Sequence, residues 1–186
     1  MPVPEAPLND TEVGRYPGGE GWFVLNAAEG VWGAMGDAGA FGSACVFESP
    51  MAWFAQLGVK LAVLQPGQPN GLYHSESQQE DFLVLSGECR LLVEGEERTL
   101  RPWDFFHCPA GTEHIFVGAG DGPCVILMCG ARTQDEKLHY PLSELAARYG
   151  ASVREETDDP DEAYAGHGDV TFGRPPGWDA LPWSTG

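Results

Sequence analysis

Short apolar runs, separated by turn residues, recur along most of the chain. The runs are rich in Val, Leu, Phe and Cys, and Gly, Pro, Asn or Asp bound them. Runs of this length and composition predict β-strands. Many short strands with few helical patterns indicate an antiparallel sandwich or barrel, so the predicted fold class is all-β. The predicted strands are residues 22–25, 44–47, 59–64, 81–85, 90–93, 105–108, 114–117 and 124–129.

Glu94-Gly95 lies between two of the apolar or extended runs, residues 91–93 and 98–100. Two turn-forming residues between such runs are typical of a tight β-hairpin. The sequence therefore predicts a hairpin within the barrel.

One segment has the period of a helix. From residue 142 to 149, the apolar positions follow the i, i+3, i+4, i+7 spacing of an amphipathic helix. Pro141 suits the first turn and Gly150 suits the position after the last. We therefore expect one short helix after the strands.

The predicted elements group into one domain of three parts. Residues 1–57 hold N-terminal strands and loops, residues 58–133 form the barrel core, and residues 134–186 hold the helix and an acidic, aromatic-containing tail. The tail combines a charged run at 154–162, too polar to pack a core, with Tyr164, Phe172, Trp178 and Trp183. So many large aromatics favour a tail that lies extended against the barrel or a neighbouring subunit.

The charge of the chain excludes some partners. Acidic residues number 28 and basic ones 10, which gives a formal charge of −18. Nucleic acids and anionic membranes both require clustered Lys and Arg, so neither is expected as a partner. No apolar run approaches the ~20 residues of a membrane span. The N-terminus lacks a signal-peptide pattern and the five cysteines form no CxxC pair, so a reduced, cytoplasmic protein is expected.

A cluster of histidine and glutamate residues carries the chemistry of the barrel. In an extended strand, His74, Glu76 and Glu80 fall on one face, which Phe82 continues as an apolar surface. Burying such charges without a partner is costly, and a divalent cation that accepts imidazole and carboxylate ligands would remove the cost. His114, which follows a Pro-Ala-Gly turn, could supply a ligand from another strand.

These segments resemble the paired motifs of the cupin superfamily. In the first family motif, a His, one residue, a second His, three or four residues and a Glu are followed by six residues and a Gly. His74, Glu80 and Gly87 fall on that spacing, and residues 109–114 match the Pro-x-Gly-x-x-His of the second motif. The resemblance covers about residues 58–130. It implies a double-stranded β-helix, a jelly-roll-like barrel, with an N-terminal strand extension and a short C-terminal helix.

The sequence departs from the family pattern at three positions. The second His of the first motif is Glu76, the Gly expected before the Asp that precedes the second motif is Trp103, and an expected Asn is Gly118. The change at Glu76 matters most for chemistry. Two His and two Glu around a divalent ion carry a formal charge of zero, one unit lower than three His and one Glu, which makes a weaker Lewis acid.

The resemblance implies that His74, Glu80 and His114 keep their roles as metal ligands. Glu76 is then either a fourth ligand or a neighbour of the site. If it is not a ligand, it is the candidate general base, because a carboxylate beside a metal in an apolar cavity can be tuned. The expected cofactor is one divalent ion, Zn, Mn, Fe or Ni.

The resemblance leaves the reaction open. We expect a metal-binding cupin, most simply a metal-dependent enzyme of the oxygenase, decarboxylase or isomerase class that acts on a small molecule. Two alternatives stay open: a non-enzymatic cupin that binds or senses a small molecule, and a metal-free sugar-type isomerase. The resemblance also implies a homodimer, and the many apolar side chains of residues 20–57 must in any case pack on something.

Overall fold

Strands dominate the computed structural model, which describes residues 1–36 and 40–184. Two short helices, α1 (Glu144–Ala147) and α2 (Pro160–Ala163), and a single 3-10 turn at Trp178–Ala180 complete the secondary structure of these residues. The strands are β1 (Leu8–Thr11), β2 (Gly14–Pro17), β3 (Trp32–Met35), β4 (Ser43–Val46), β5 (Leu57–Leu64), β6 (Ser75–Glu76), β7 (Glu80–Ser86), β8 (Glu88–Val93), β9 (Glu96–Leu100), β10 (Phe105–Cys108), β11 (His114–Ala119), β12 (Cys124–Ala131), β13 (Leu138–His139) and β14 (Val170–Phe172).

Two antiparallel sheets face each other and form the barrel. The large sheet has seven strands in the order β10-β7-β12-β5-β4-β3-β14, and the small sheet has three in the order β11-β8-β9. Two-stranded sheets, β1-β2 and β6-β13, flank them. This arrangement confirms the all-β, jelly-roll-like fold. No helix among the described residues is long and apolar enough to cross a membrane.

The main core lies between the two sheets. Alternate side chains of each strand point inward, as the period of two along a strand requires. The core is closed by Phe82 and Ile126 from the large sheet and by Leu91 and Phe116 from the small sheet, each at most 3% exposed. The inward face of β7 that holds Phe82 begins at Glu80, so the core leads directly to the polar cluster.

The C-terminal segments cover the outer faces of both sheets. Ala146 of α1 packs on Ile115 and Val117 of the small sheet. On the large sheet, the ring of Trp183 stacks on Trp32 with centroids 5.3 Å apart, and Trp178 meets Trp32 edge-on at 6.0 Å. β14 also pairs with β3 at the edge of the large sheet. The expectation that the tail packs against the barrel is confirmed.

The predicted hairpin is confirmed, because β8 and β9 pair across Glu94-Gly95. Both turn residues have positive φ, 48° at Glu94 and 75° at Gly95, as a two-residue turn of this hand requires.

Two predicted elements differ from the structure. Residues 22–25 form no strand, since only Trp22 makes a single bridge, to Glu5, while Phe23 stacks on Phe54 instead. The helix predicted at 142–149 is shorter: Ser143, in an extended conformation, caps α1 by accepting a hydrogen bond from the N–H of Ala146. The periodic pattern before the cap is therefore not helical.

Candidate metal centre

His74 and His114 meet where the small sheet approaches the β6-β13 ribbon. The N–H of His114 donates to the carbonyl of His74 at 2.8 Å, and the N–H of His74 donates back at 3.2 Å. This antiparallel bridge brings the two imidazole rings together, with centroids 5.1 Å apart. Backbone pairing therefore brings together two residues that are 40 positions apart in the sequence.

Glu80 completes the cluster from the large sheet. It begins β7, opposite Cys108 of β10 and Gly130 of β12. One ligand atom from each of His74, Glu80 and His114 lies within 4.8 Å of the others. The structure thus brings together three of the four predicted ligands.

The chain holds both imidazoles in the orientation that a metal site needs. The Nδ1 of His74 lies 2.7 Å from the carbonyl of Leu72, and the Nδ1 of His114 lies 3.2 Å from the carbonyl of Thr112. Since a carbonyl only accepts, each Nδ1 carries the proton and donates it. Each Nε2 is then the atom that faces a carboxylate, at 3.5 Å from Glu76 for His74 and at 3.4 Å from Glu80 for His114, and this is the arrangement usual for ligating histidines.

Burial governs the charge states of the two most enclosed groups. Burial lowers the pKa of His114 to about 4, and the nearby charge of His74 adds to this, so the ring is neutral near pH 7. Burial also raises the pKa of Glu80 to about 7, with a contribution from the charge of Glu76. The Oε2 of Glu80, 3.4 Å from His114 Nε2, has no hydrogen-bond partner among the described residues.

Glu76 lies beside His74, Glu80 and His114 but is not one of the residues whose ligand atoms lie within 4.8 Å of one another. Its Oε1 is 3.5 Å from the Nε2 of His74. Burial would raise the pKa of Glu76, but the hydrogen bond and charge of His74 hold it below its ordinary value. Glu76 also hydrogen-bonds Glu136, a carboxyl whose pKa burial and the charge of Glu76 raise. Its position fits either role left open by the sequence, fourth ligand or neighbour of the site.

Two openings adjoin the cluster and meet at Glu76 and Glu136. The inner cavity, about 130 Å³, lies over the open end of the barrel and has Glu80 in its wall. The outer groove, about 740 Å³, runs along the β6-β13 ribbon past Ser75 and His139. The remaining polar side chains of the inner cavity are Glu48, Lys60 and Arg132. A small molecule can therefore approach the cluster from solvent.

Sequence reasoning missed three groups of this site. Glu136 reaches it because β13 pairs with β6, with the N–H of Lys137 donating to Ser77 Oγ at 2.8 Å, and no local pattern marks that pairing. Arg132 follows β12 and reaches Glu48, 84 positions away. Lys60 could have been found from the sequence. It lies two and four positions before Ala62 and Leu64, which face the core, and alternate residues of a strand share one face.

The donor set fits a divalent cation. One nitrogen from each of two imidazoles and one carboxylate oxygen lie within 4.8 Å of one another, and the buried Oε2 of Glu80 has no hydrogen-bond partner among the described residues. A buried polar atom without a hydrogen bond is rare in native proteins and calls for an explanation. Imidazole and carboxylate are ligands that Zn, Mn, Fe and Ni accept. The residues present therefore fit the cofactor that the sequence led us to expect.

Comparisons with known proteins agree with the fold. The family model of the cupin domain matches residues 60–130. No curated protein matches the chain. A sugar phosphate isomerase of the cupin superfamily from Silicibacter pomeroyi is 23% identical over 76% of this chain and 87% of that chain, with a TM-score of 0.52.

Two further solved structures resemble parts of the chain. A protein of Acidithiobacillus ferrooxidans is 24% identical over 54% of this chain, with a TM-score of 0.49, and the chain spans only 65% of its length. The polyketide cyclase RemF of Streptomyces resistomycificus is 13% identical over 59% of this chain and 79% of that chain, with a TM-score of 0.49. The family model therefore matches the barrel core of this chain, and the TM-score of 0.52 to the Silicibacter pomeroyi protein shows that the chain shares the fold of a solved cupin.

Proposed function

We propose that this protein is a metal-dependent enzyme that moves a proton on a small molecule bearing hydroxyl or carbonyl groups. His74, Glu80 and His114 would hold one divalent ion, which supplies Lewis-acid polarisation of a substrate oxygen when bound. The observation that carries the proposal is that their three ligand atoms lie within 4.8 Å of one another and that, among the described residues, the buried Oε2 of Glu80 has no hydrogen-bond partner.

Residues around the three ligands would act as the base, exclude water and orient the imidazoles. Glu76 lies at the junction of the inner cavity and the outer groove, beside the ligand set, so it can accept a proton from a substrate carbon. Phe82 and Phe106, whose rings lie 5.2 and 6.0 Å from His114, wall the cluster on its inner side and keep water out. Leu72 and Thr112 hold the imidazoles through their carbonyls.

Metal content tests the ligand set. We expect protein purified without chelator to contain about one divalent ion per chain by elemental analysis. His74→Ala and Glu80→Ala lose it, while Glu76→Gln keeps it. His107→Ala is the matched control, because His107 is half-exposed and its Nδ1 pairs with Asp81 at 2.7 Å, outside the cluster. Equal metal in His74→Ala and the control would remove the site.

Solvent exchange tests the reaction class. The metal-loaded protein is incubated in heavy water with a panel of hydroxyketones and sugar phosphates, the latter included because a solved cupin of this fold is a sugar phosphate isomerase. Deuterium on a carbon next to a carbonyl, read by NMR, is expected for wild type and lost in Glu76→Gln. A metal-loaded protein that exchanges no panel member contradicts the proposed reaction and favours the binding or sensing alternative.

A further inference from the structure

Lys60 faces the inner cavity because of its place on β5. Ala62 and Leu64, the next residues of the same parity, lie in the barrel core. Side chains two positions apart share a face, so Lys60 points to the same side, beyond the apolar core. There it lines the cavity whose wall also holds Glu76 and Glu80, and its side chain stays exposed at the mouth.

The two basic side chains that line the inner cavity, Lys60 and Arg132, differ in how many of their donors are already hydrogen-bonded. Both terminal nitrogens of Arg132 donate to Glu48, at 2.6 and 2.7 Å, and one also donates to the carbonyl of Phe54 at 2.9 Å. In the part of the chain that the structure describes, Lys60 makes no ion pair or hydrogen bond of comparable length. An ammonium group has three donors. Lys60 is therefore the cation that can offer them to a ligand.

The charges around the cavity explain when an anion would bind. Glu76, Glu80 and Glu136 make the cavity negative on their own. A divalent ion and Lys60 together match the charge of three carboxylates, so an added anion meets a neutral site. With either one missing the site stays negative and repels an anion. Anion binding thus requires both the metal and Lys60.

The volume of the inner cavity limits the size of the chemical group that can bind there. A water molecule takes up about 30 Å³ of liquid volume, so the inner cavity of about 130 Å³ has room for about four waters. That space fits a carboxylate or phosphate group with its first carbon. The rest of a larger ligand must continue past Glu76 into the outer groove, where Ser75, Ser77 and His139 offer polar contacts.

We propose that Lys60 binds the anionic end of the substrate, so that the substrate is a small hydroxylated acid or phosphate ester whose polar body lies in the outer groove. This inference rests on the proposed metal-dependent function. Lys60 is a specificity-determining residue here: it selects ligands that carry a carboxylate or phosphate at one end.

Calorimetric binding of two probes to the full chain tests the inference. Inorganic phosphate and glycolate represent the two sources of the anionic group, and the protein is loaded with manganese and freed of excess metal first. We expect at least one probe to bind wild type, about tenfold or more weakly to Lys60→Met, and at nearly wild-type affinity to Lys60→Arg. Lys137→Met is the matched control, because Lys137 is the only other lysine and lines the outer groove instead.

The outcomes separate this inference from the function on which it rests. Metal content and thermal unfolding are measured for every variant. Full metal content with equal probe affinity in wild type and Lys60→Met, or with no probe bound at all, overturns the anion site and leaves the metal site standing. Loss of affinity in Lys137→Met equal to that in Lys60→Met also overturns it. Wild type that holds no metal overturns the metal site itself, and the inference with it.

Discussion

Two buried glutamates at the same end of the barrel have opposite surroundings. Glu48 is 8% exposed and accepts two hydrogen bonds from Arg132, which also stacks on Trp53 with its guanidinium carbon 3.8 Å from the ring centre. Glu80 is 13% exposed, and its Oε2 has no partner among the described residues. Glu48 is therefore compensated by a cation of the chain itself, whereas burial raises the pKa of Glu80 to about 7. That difference separates a structural ion pair from a candidate functional group.

The largest expected effect is that of added metal on the unfolding free energy, which should differ between wild type and a variant without Glu80. A ligand that binds only the folded state at 1,000 times its dissociation constant stabilises it by about 4 kcal/mol. We expect a divalent ion to raise the unfolding free energy of metal-stripped wild type by about that amount, and to leave Glu80→Ala nearly unchanged. Urea unfolding with and without metal measures both. Equal stabilisation of wild type and Glu80→Ala would contradict the assignment of Glu80 as a ligand.

The second largest expected effect is the loss of unfolding free energy when Glu48, the carboxylate paired with Arg132, is removed. Breaking a buried ion pair by deleting one partner costs about 3–5 kcal/mol, because the remaining charge is left without compensation. Glu48→Ala should fall at the lower end, about 3 kcal/mol, since Arg132 is 23% exposed. Urea unfolding of the metal-free variant checks the loss. Its metal-dependent stabilisation should match that of wild type, and a failure to do so would mean that Glu48 supports the metal site as well.

Neutralising the unpartnered carboxylate should have a smaller effect of the opposite sign. In the metal-free protein, Glu80→Gln removes a carboxyl whose pKa burial raises to about 7, so above that pH, where the carboxylate is ionised, we expect a gain of about 1 kcal/mol. The same variant should bind metal poorly, because an amide oxygen carries no charge. Denaturation midpoints measured in chelator give the first result. A clear loss of stability would show that the carboxylate of Glu80 is already satisfied.

The pH dependence of the Glu48 pair should be the smallest effect. Burial opposes ionisation, but the hydrogen bonds from Arg132 and Phe54 and the charge of Arg132 hold the pKa of Glu48 below its ordinary value of 4.5. A carboxylate with a lowered folded-state pKa adds stability above the unfolded pKa and loses it as the pH falls through the folded one. The stability difference between wild type and Glu48→Gln should therefore persist from pH 7 to 5 and shrink below about pH 4, as thermal unfolding across this range would show.

The sequence predicted the barrel because strands leave a local pattern, and the resemblance to the cupin motifs indicated His74, Glu80 and His114, which the structure brings together. Apolar runs define the strands, and the motif spacing fixes which residues of β7 and β11 face inward. Glu136 and the pairing of Arg132 with Glu48 depend on contacts between distant segments, which no window of sequence reveals. The strand predicted at 22–25 was wrong because the segment makes only the one bridge at Trp22, and the side chains of Trp22 and Val24 are exposed. The homodimer and the cytoplasmic location stay predictions.

Two family departures also have local explanations. Trp103, where the family has Gly, has a φ of 75°, in the left-handed region that favours Gly, and this conformation costs a residue with a side chain about 1–2 kcal/mol. Gly118 lies so close to the carbonyl oxygen of Gln65 that a Cβ would clash with it, so the Asn of the family does not fit this backbone.

The return of the last strand to the edge of the large sheet has a consequence for biosynthesis. Trp32 is 1% exposed, and Trp178 and Trp183, which lie about 150 positions later in the chain, pack against it. A nascent polypeptide whose jelly roll has already emerged from the ribosome still presents that indole surface to solvent. The outer layer over this face forms only after residues 178–183 have been synthesised, and until then this patch is open to chaperones or aggregation.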